Sequence, residues 1–412
     1  MKCKINRIMP FLAWLTVAFF VFFQFYLQTS SSIMSQDWAL NFHLNKVELS
    51  NLSAAFFYSY VLLQLPIGVF YDRFQAKHIL IIAAALLSLG CIMLSMVDSY
   101  AWAVVARLLM GIGSAFGFVG LLTVIIISFP ANRFGLMLGL AELLGMAGVA
   151  LGTIVLAHLM LNGSWRSAMF GSGIIAAVLA LVIVFAVHTP KTTQKKPPFS
   201  LTSVLLQVKS VLCNKQIILC SIYGFFIYSI ITAFTSLWGV EFLTNTYHMD
   251  SKLASTCIST IIIGLALGSP INGLISKKYG NNAQMMRWEA LLATVILGII
   301  ILVHGIPPLL LFVLFFLIGF LCSVYVQCLS VIKDSVVPGM QATALAASNM
   351  MIISSAPLLQ ILIGGILQSH FFGLALNTSN NYRCSLAILP LGYLIAWVFS
   401  FFIRDLKSET NS

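Results

Sequence analysis

The chain has 412 residues, of which 60% are hydrophobic and only 8% charged, and its mean hydropathy is +1.00. Soluble domains carry about 25% charged residues, so a soluble enzyme is excluded, and a disordered chain needs the opposite composition. The net charge of +11 is spread between apolar runs, which makes it a topology signal and not a nucleic-acid surface.

What remains is an all-α membrane protein whose helices each need roughly 20 apolar residues. Lys2, Lys4 and Arg7 precede an apolar run from Ile8 to Leu27. No small-residue cleavage site follows, so an uncleaved first helix is expected, not a signal peptide. Hydropathy predicts twelve spans, at 8–30, 48–70, 78–97, 101–126, 134–160, 167–188, 216–238, 252–275, 285–303, 308–331, 342–368 and 384–403. With an even count both ends lie on one side. Four basic residues (Lys46, Arg166, Lys252 and Arg383) then fall on one face and seventeen on the other, among them Arg73, Lys77, Arg133, Lys195, Lys277 and Arg404. The basic excess marks the cytoplasmic side, so both termini are expected there.

Residues 189–215 read as a cytoplasmic linker, rich in Lys and Pro at Lys195-Lys196-Pro197-Pro198. Phe199–Leu212 has helical apolar spacing and is expected to lie on the membrane surface. The linker separates six-helix bundles at 1–188 and 216–412. The two halves repeat weakly. Gly111 and Pro130 recur as Gly319 and Pro338, and Pro66-Ile67 recurs as Pro270-Ile271, each before a basic turn. Paired six-helix repeats hold substrate near the midplane and rock around it.

The turn after the second span reads Gly68-Val69-Phe70-Tyr71-Asp72-Arg73-Phe74-Gln75-Ala76-Lys77. Gly68 admits a close helix. Asp72 can accept hydrogen bonds, and Arg73 and Lys77 suit a lipid surface. With Arg107-Leu108-Leu109-Met110-Gly111-Ile112-Gly113 in the fourth span, the chain resembles the major facilitator superfamily. The resemblance implies a twelve-helix 6+6 pseudo-symmetric fold and no enzyme activity. It also implies a latch of Gly68, Asp72, Arg73 and Lys77 that favours an outward-open state, and a functional arginine at Arg107. Residues Ser30–Arg73, with Phe56-Phe57-Tyr58-Ser59-Tyr60 and Gln64-Leu65-Pro66-Ile67-Gly68, resemble nutrient permeases of intracellular bacteria that import amino acids. They are more distantly similar to a lysosomal dipeptide transporter. The family's antiporters carry a Gly-Pro signature in the fifth span, and the proline is absent here, which favours uptake or uniport over drug export.

Arg107 lies roughly 9 Å inside the membrane from the outer end of its helix, where charge is expensive. It can hold helix carbonyls, a substrate carboxylate or a proton-coupled network. Glu142 is the other deep charge, roughly 12 Å from the cytoplasmic end, which in a ~30 Å core sets it roughly 9 Å from Arg107 in depth and argues against a direct pair. A buried carboxyl group is a natural proton acceptor. Gln24, Gln28, Tyr58, Tyr223, Tyr228, Gln327 and Asn349 are expected to line a polar cavity. Gly148 and Gly152 are spaced for close helix contact.

The eight cysteines form no C-x-x-C pair and the seven histidines no i,i+4 pair, so no metal or other cofactor is expected. No phosphate-loop motif points to ATP. Asn162-Gly163-Ser164 and Asn377-Thr378-Ser379 fit the glycosylation pattern on the outer side. The reading that results is a monomeric secondary transporter of a bacterial inner membrane. Its expected partners are membrane lipid, a small-molecule substrate and protons, with proton-coupled uptake of an amino acid, small peptide or related metabolite. Proton-driven efflux is the alternative.

Overall fold

The computed structural model describes residues 2–44, 46–187, 208–369 and 378–405. Most of the expected linker and Asn377 lie outside the described residues. Among the described residues there is no strand, and twelve helices are long and apolar enough to cross a membrane. Hydrocarbon offers backbone groups no partners, so each span must satisfy its own hydrogen bonds.

The first six are α1 (Lys2–Asn41), α2 (Lys46–Arg73), α3 (Ala76–Met96), α4 (Tyr100–Ser128), α5 (Phe134–Asn162) and α6 (Trp165–Ala186). In the second half, α7 joins Lys215–Ser229, a π-helical stretch Ile230–Trp238 and Gly239–Tyr247. Then come α8 (Ser251–Tyr279) and α9 (Asn282–Leu302). Three broken spans finish the chain: α10 (Pro308–Cys322, Tyr325–Asp334), α11 (Gln341–Ile353, Ser355–Ser369) and α12 (Thr378–Leu386, Ile388–Ser400).

The expected first span stops at residue 30, yet α1 runs to Asn41. The polar run Thr29-Ser30-Ser31-Ser32 ends the hydropathy signal without ending the helix. Thr29 Oγ1 donates to Phe25 O at 3.1 Å and Ser30 Oγ to Leu27 O at 2.7 Å, so these hydroxyls bond back into their own helix. The extension carries Trp38 onto the edge of Trp165, with ring centroids 6.4 Å apart.

The chain forms two compact units. The first contains residues 1–131, 144–209 and 338–347; the second contains 132–143, 210–337 and 348–412. The beginnings of α5 and α11 therefore each group with the other half of the sequence.

Within each unit the same contacts recur. In the first, α2 packs on α4 and α3 on α6; in the second, α8 packs on α10 and α9 on α12. A side chain at Gly111 would collide with Phe56 O and Ser59 Oγ of α2, and one at Gly319 with Ile261 O of α8. These two glycines of the sequence repeat let backbones touch at equivalent places.

Two of the four basic residues on the sparsely charged face also have equivalent work. Arg166 at the start of α6 donates to Ser95 O (3.2 Å) and Val97 O (2.8 Å) at the end of α3. It also pairs with Asp98 at 2.8 Å. Arg383 in α12 donates to Ile301 O (2.6 Å) and Val303 O (2.8 Å) at the end of α9. Each guanidinium lies over an aromatic ring, Trp165 at 4.5 Å and Tyr247 at 5.2 Å. They cap helix C-termini, where carbonyls lack partners and positive charge is favourable.

Two stability outcomes follow for purified protein in detergent. Gly111→Val should lower the unfolding midpoint, with a cost of about 2 kcal/mol or more, while Gly298→Ala, which meets no neighbour within 4 Å, should not. Arg383→Ala should cost about 2 kcal/mol or more, because charged hydrogen bonds contribute roughly 1.5–3 kcal/mol each. Equal thermal midpoints for Gly111→Val and Gly298→Ala would contradict the packing account.

Candidate functional site

In the first unit, α4 carries Arg107 into full burial, with no solvent-exposed surface. Nη2 donates to Ser53 O of α2 at 3.2 Å. The guanidinium carbon lies 5.1 Å from the Phe56 ring centre and 5.4 Å from that of Trp38. Nε and Nη1 have no acceptor, and neither has Nε1 of Trp38, which is also fully buried. Every unmatched group named here is a donor. Cation–π contact returns up to about 2 kcal/mol when desolvated, against several kcal/mol for burying the charge. The arrangement is short of acceptors and fits an anion, since hydrogen bonds from a guanidinium to a carboxylate are charge-assisted.

Gln24, also in the first unit, is buried. Its Nε2 donates to the Tyr60 hydroxyl at 3.4 Å, and its Oε1 has no partner. Gln28, one turn on, is half-buried. Tyr58 is exposed and donates to Asn51 Oδ1 at 3.4 Å along its own helix.

The turn after α2 belongs to the same unit as residues 338–347, the start of α11. Asp72 Oδ1 accepts from Ala342 N at 3.0 Å, and Oδ2 accepts from Thr343 N at 2.8 Å and Thr343 Oγ1 at 2.6 Å. A Cβ on Gly68 would come within 2.6 Å of Thr343 Cα, so only glycine admits α11 this closely. Asp72 thus caps the N-terminus of another helix, where free N–H groups and the helix dipole favour a carboxylate. Arg73 and Lys77 are half-buried beside it in the sequence. The second unit repeats the approach but not the cap. A Cβ on Gly273 of α8 would meet Leu136 Cα of α5 at 2.6 Å, yet the residue four positions on is Lys277.

In the second unit, Glu142 of α5 is buried. It faces the Tyr325 hydroxyl, and its Oε2 has no partner. The Tyr325 ring lies against that of Tyr228, centroids 4.7 Å apart. Gln327 is fully buried, and neither end of its amide has a partner. Tyr223 donates to Met286 O at 2.9 Å, and Asn349 is buried on α11.

Arg107, Gln24, Gln28, Tyr58 and the latch turn are thus in the first unit, and Glu142, Tyr223, Tyr228, Gln327 and Asn349 in the second. Among the described residues, the salt bridges are Arg166–Asp98 and Lys333–Asp334, so Arg107 and Glu142 have no ion-pair partner.

Sequence reasoning missed three groups. Trp38 lay beyond the expected end of its span. Tyr325 lacked any charge to single it out. Glu289 sits inside the expected span 285–303, so its charge was a readable signal. Its Oε2 accepts from Asn272 Nδ2 at 2.9 Å.

A family model described as Major Facilitator Superfamily matches residues 14–359. A protein of Bacillus subtilis (strain 168) described as an uncharacterized transporter, YybO, is 24% identical over 396 residues, covering 88% of this chain and 86% of that one. The nitrite extrusion protein of the same organism is 26% identical over 249 residues, and the match spans 60% of each chain. Among solved structures, the transporter FucP in its outward conformation superposes with a TM-score of 0.76 at 14% identity, covering 97% of this chain and 100% of FucP. The fold, twelve membrane-spanning helices and a family match over most of the length agree: the chain is a multi-pass membrane protein and belongs to the Major Facilitator Superfamily of transporters.

Proposed function

We propose that this secondary transporter carries a small solute with an anionic group, bound at Arg107 and Trp38. The reading extends to proton-coupled uptake of an amino acid, small peptide or related metabolite across a bacterial inner membrane. One observation supports it above the others: Nε and Nη1 of Arg107 and Nε1 of Trp38 are buried donors without acceptors. A carboxylate supplies what they lack. The nitrite extrusion protein is named for moving an anion. FucP is described as a fucose:proton symporter, so the shared fold is compatible with proton coupling. Glu142 is the proposed proton acceptor, having one unmatched oxygen and no ion pair. Gln24, Gln28, Tyr58, Tyr228, Gln327 and Asn349 are proposed as further polar lining. The basic bias supports termini in the cytoplasm. Efflux is the competing reading, favoured by the extrusion function named for the Bacillus relative.

Uptake of labelled amino acids into vesicles holding the purified protein, with and without an inward proton gradient, tests this reading. Uptake should rise when the outside is acidic. Arg107→Ala should reduce saturable uptake about 100-fold or more, since losing a buried charge-assisted contact costs roughly 3 kcal/mol. Arg107→Lys should recover only part of it, because an ammonium has no fork. Unchanged uptake in Arg107→Ala would remove the anion site. A thermal-shift screen of carboxylates identifies the solute class, since a ligand at 100 times its Kd adds about 2.7 kcal/mol. Resistance to dyes or antibiotics in a pump-deficient strain would support efflux.

The latch role of Gly68, Asp72, Arg73 and Lys77 is proposed from the Asp72 cap on α11. Asp72→Ala should slow uptake about tenfold with little change in KM, because it removes a conformational contact and not a substrate contact. A rate equal to that of the unmodified protein would count against the latch.

A further inference from the structure

The second unit holds a polar cluster that the anion site does not use. It is built around the break in α10, between Cys322 and Tyr325. There Ser323 N bonds Phe320 O at 3.2 Å and Val324 N bonds Leu321 O at 3.2 Å, so the helix tightens to i→i−3 bonding. Such tightening within a helix is a hinge geometry. At the offset of the sequence repeat, Ala115 and Phe116 stand opposite Ser323 and Val324, and α4 runs through them without interruption. The fold therefore does not require the break.

Two carboxyl groups reach this break from different helices. Tyr325, just past it, faces Glu142 of α5. Ser323, within it, is joined to Glu289 of α9 through Asn272 of α8. Asn272 Nδ2 lies 2.9 Å from Ser323 Oγ and 2.9 Å from Glu289 Oε2. Asn272 is fully buried and its Oδ1 has no partner, nor has Oε2 of Glu142. The ionisable groups that face the two acids are Tyr223 on α7 and Cys322 and Tyr325 on α10, with Tyr228 behind Tyr325 and Tyr393 behind Cys322 and Tyr223. Arg287, on α9 itself, is engaged with Ser400 O at 3.2 Å. Among the described residues neither acid has an ion-pair partner.

We propose that Glu289, Asn272 and Ser323, together with the Glu142–Tyr325 pair, form a proton-binding centre that controls the break in α10. The proposal deepens the proton-coupled reading and rests on it, but it does not depend on the anion site. With Glu289 ionised, its carboxylate accepts from Asn272 Nδ2, and the same amide holds Ser323. When a proton from water forms an O–H bond on Glu289, the acid becomes a donor. The unmatched Asn272 Oδ1 is then its natural acceptor. Turning the amide to meet it withdraws Nδ2 from Ser323 and frees the break. Loss of the proton to water reverses the step. Glu142 loads in the same way, on its unmatched Oε2.

Infrared difference spectra of the full chain in vesicles, taken between low and high pH, test this without any substrate. The low-pH state should show two protonated-carboxyl bands. Glu289→Gln should remove one, Glu142→Gln the other, and Asn272→Ala should shift the Glu289 band while leaving the Glu142 band in place. If Glu289→Gln does not fold, the Asn272→Ala shift carries the test. Amide hydrogen exchange of residues 320–327, corrected for the intrinsic effect of pH, should be faster at low pH and should lose that dependence in Glu289→Gln or, failing that variant, in Asn272→Ala. An unaltered spectrum in Glu289→Gln, an unshifted band in Asn272→Ala, or exchange that ignores pH would overturn the proposal. Bands that titrate as described in a protein whose uptake ignores the proton gradient would sustain the centre and refute gradient-driven uptake alone.

Discussion

Placing a charge in hydrocarbon costs several kcal/mol unless it is matched, and the architecture of this chain follows from how few charges it carries and where it puts them. Only 8% of residues are charged. Some of those drawn into the protein are answered by helix ends. Asp72 closes the N-terminus of α11, while Arg166 and Arg383 close the C-termini of α3 and α9. Each solves two problems at once, because a span's terminal N–H or C=O groups need partners as much as the side chain does. Arg107, Glu142 and Glu289 differ from these. Arg107 keeps two nitrogens unmatched and Glu142 one oxygen, Glu289 is held by the amide of Asn272, and none of the three closes a helix end or has an ion pair. In a chain that otherwise economises on charge, these residues are the candidates for function.

The repeat separates what the fold needs from what it does not. Close approach of α2 to α4 at Gly111 has its counterpart in α8 and α10 at Gly319. The arginine caps on α3 and α9 correspond as well. These shared features are the conditions for six helices to pack in lipid. The differences lie elsewhere. Asp72 caps α11, whereas Lys277 stands at the matching place after Gly273. A carboxylate completes a helix N-terminus and an ammonium does not, so the two halves cannot be equally latched by the same device. Likewise α4 is continuous where α10 breaks, and only the break gathers acids. Arg107 with its unmatched donors belongs to the first unit, and Glu142 and Glu289 belong to the second.

Much of this was legible in the sequence because hydrocarbon is a strict solvent. Twenty-residue apolar runs and the side on which lysine and arginine fall leave little freedom in counting spans, and Gly68, Asp72 and Arg107 carry chemistry that apolar residues cannot mimic. The rest depended on contacts that no local pattern encodes. Hydropathy ends the first span at the polar run after Leu27, but hydroxyls that bond back into their own helix let α1 continue to Trp38. The π-helical stretch in α7 is held partly from outside: Gln360 of α11 donates to Thr232 O at 2.7 Å. The break in α10 follows no proline or glycine at positions 323 and 324. Asn272 reads as one polar residue among several until Ser323 and Glu289 are both seen beside it.

The division of chemistry between the units bears on energetics. On the proposed reading, a solute bearing one negative charge at Arg107 neutralises a cation that the protein buries in any case, and a proton on Glu142 or Glu289 neutralises a carboxylate. A carrier loaded with both would then hold fewer unmatched charges than an empty one. Charge moved through hydrocarbon sets the barrier to rearrangement, so loading with both partners lowers that barrier, while loading with one leaves part of it standing. Coupling of this kind needs no direct contact between Arg107 and the acids. It needs only that each unit be expensive to rearrange while its own charge stands alone, and the unmatched donors and acids are the source of that expense.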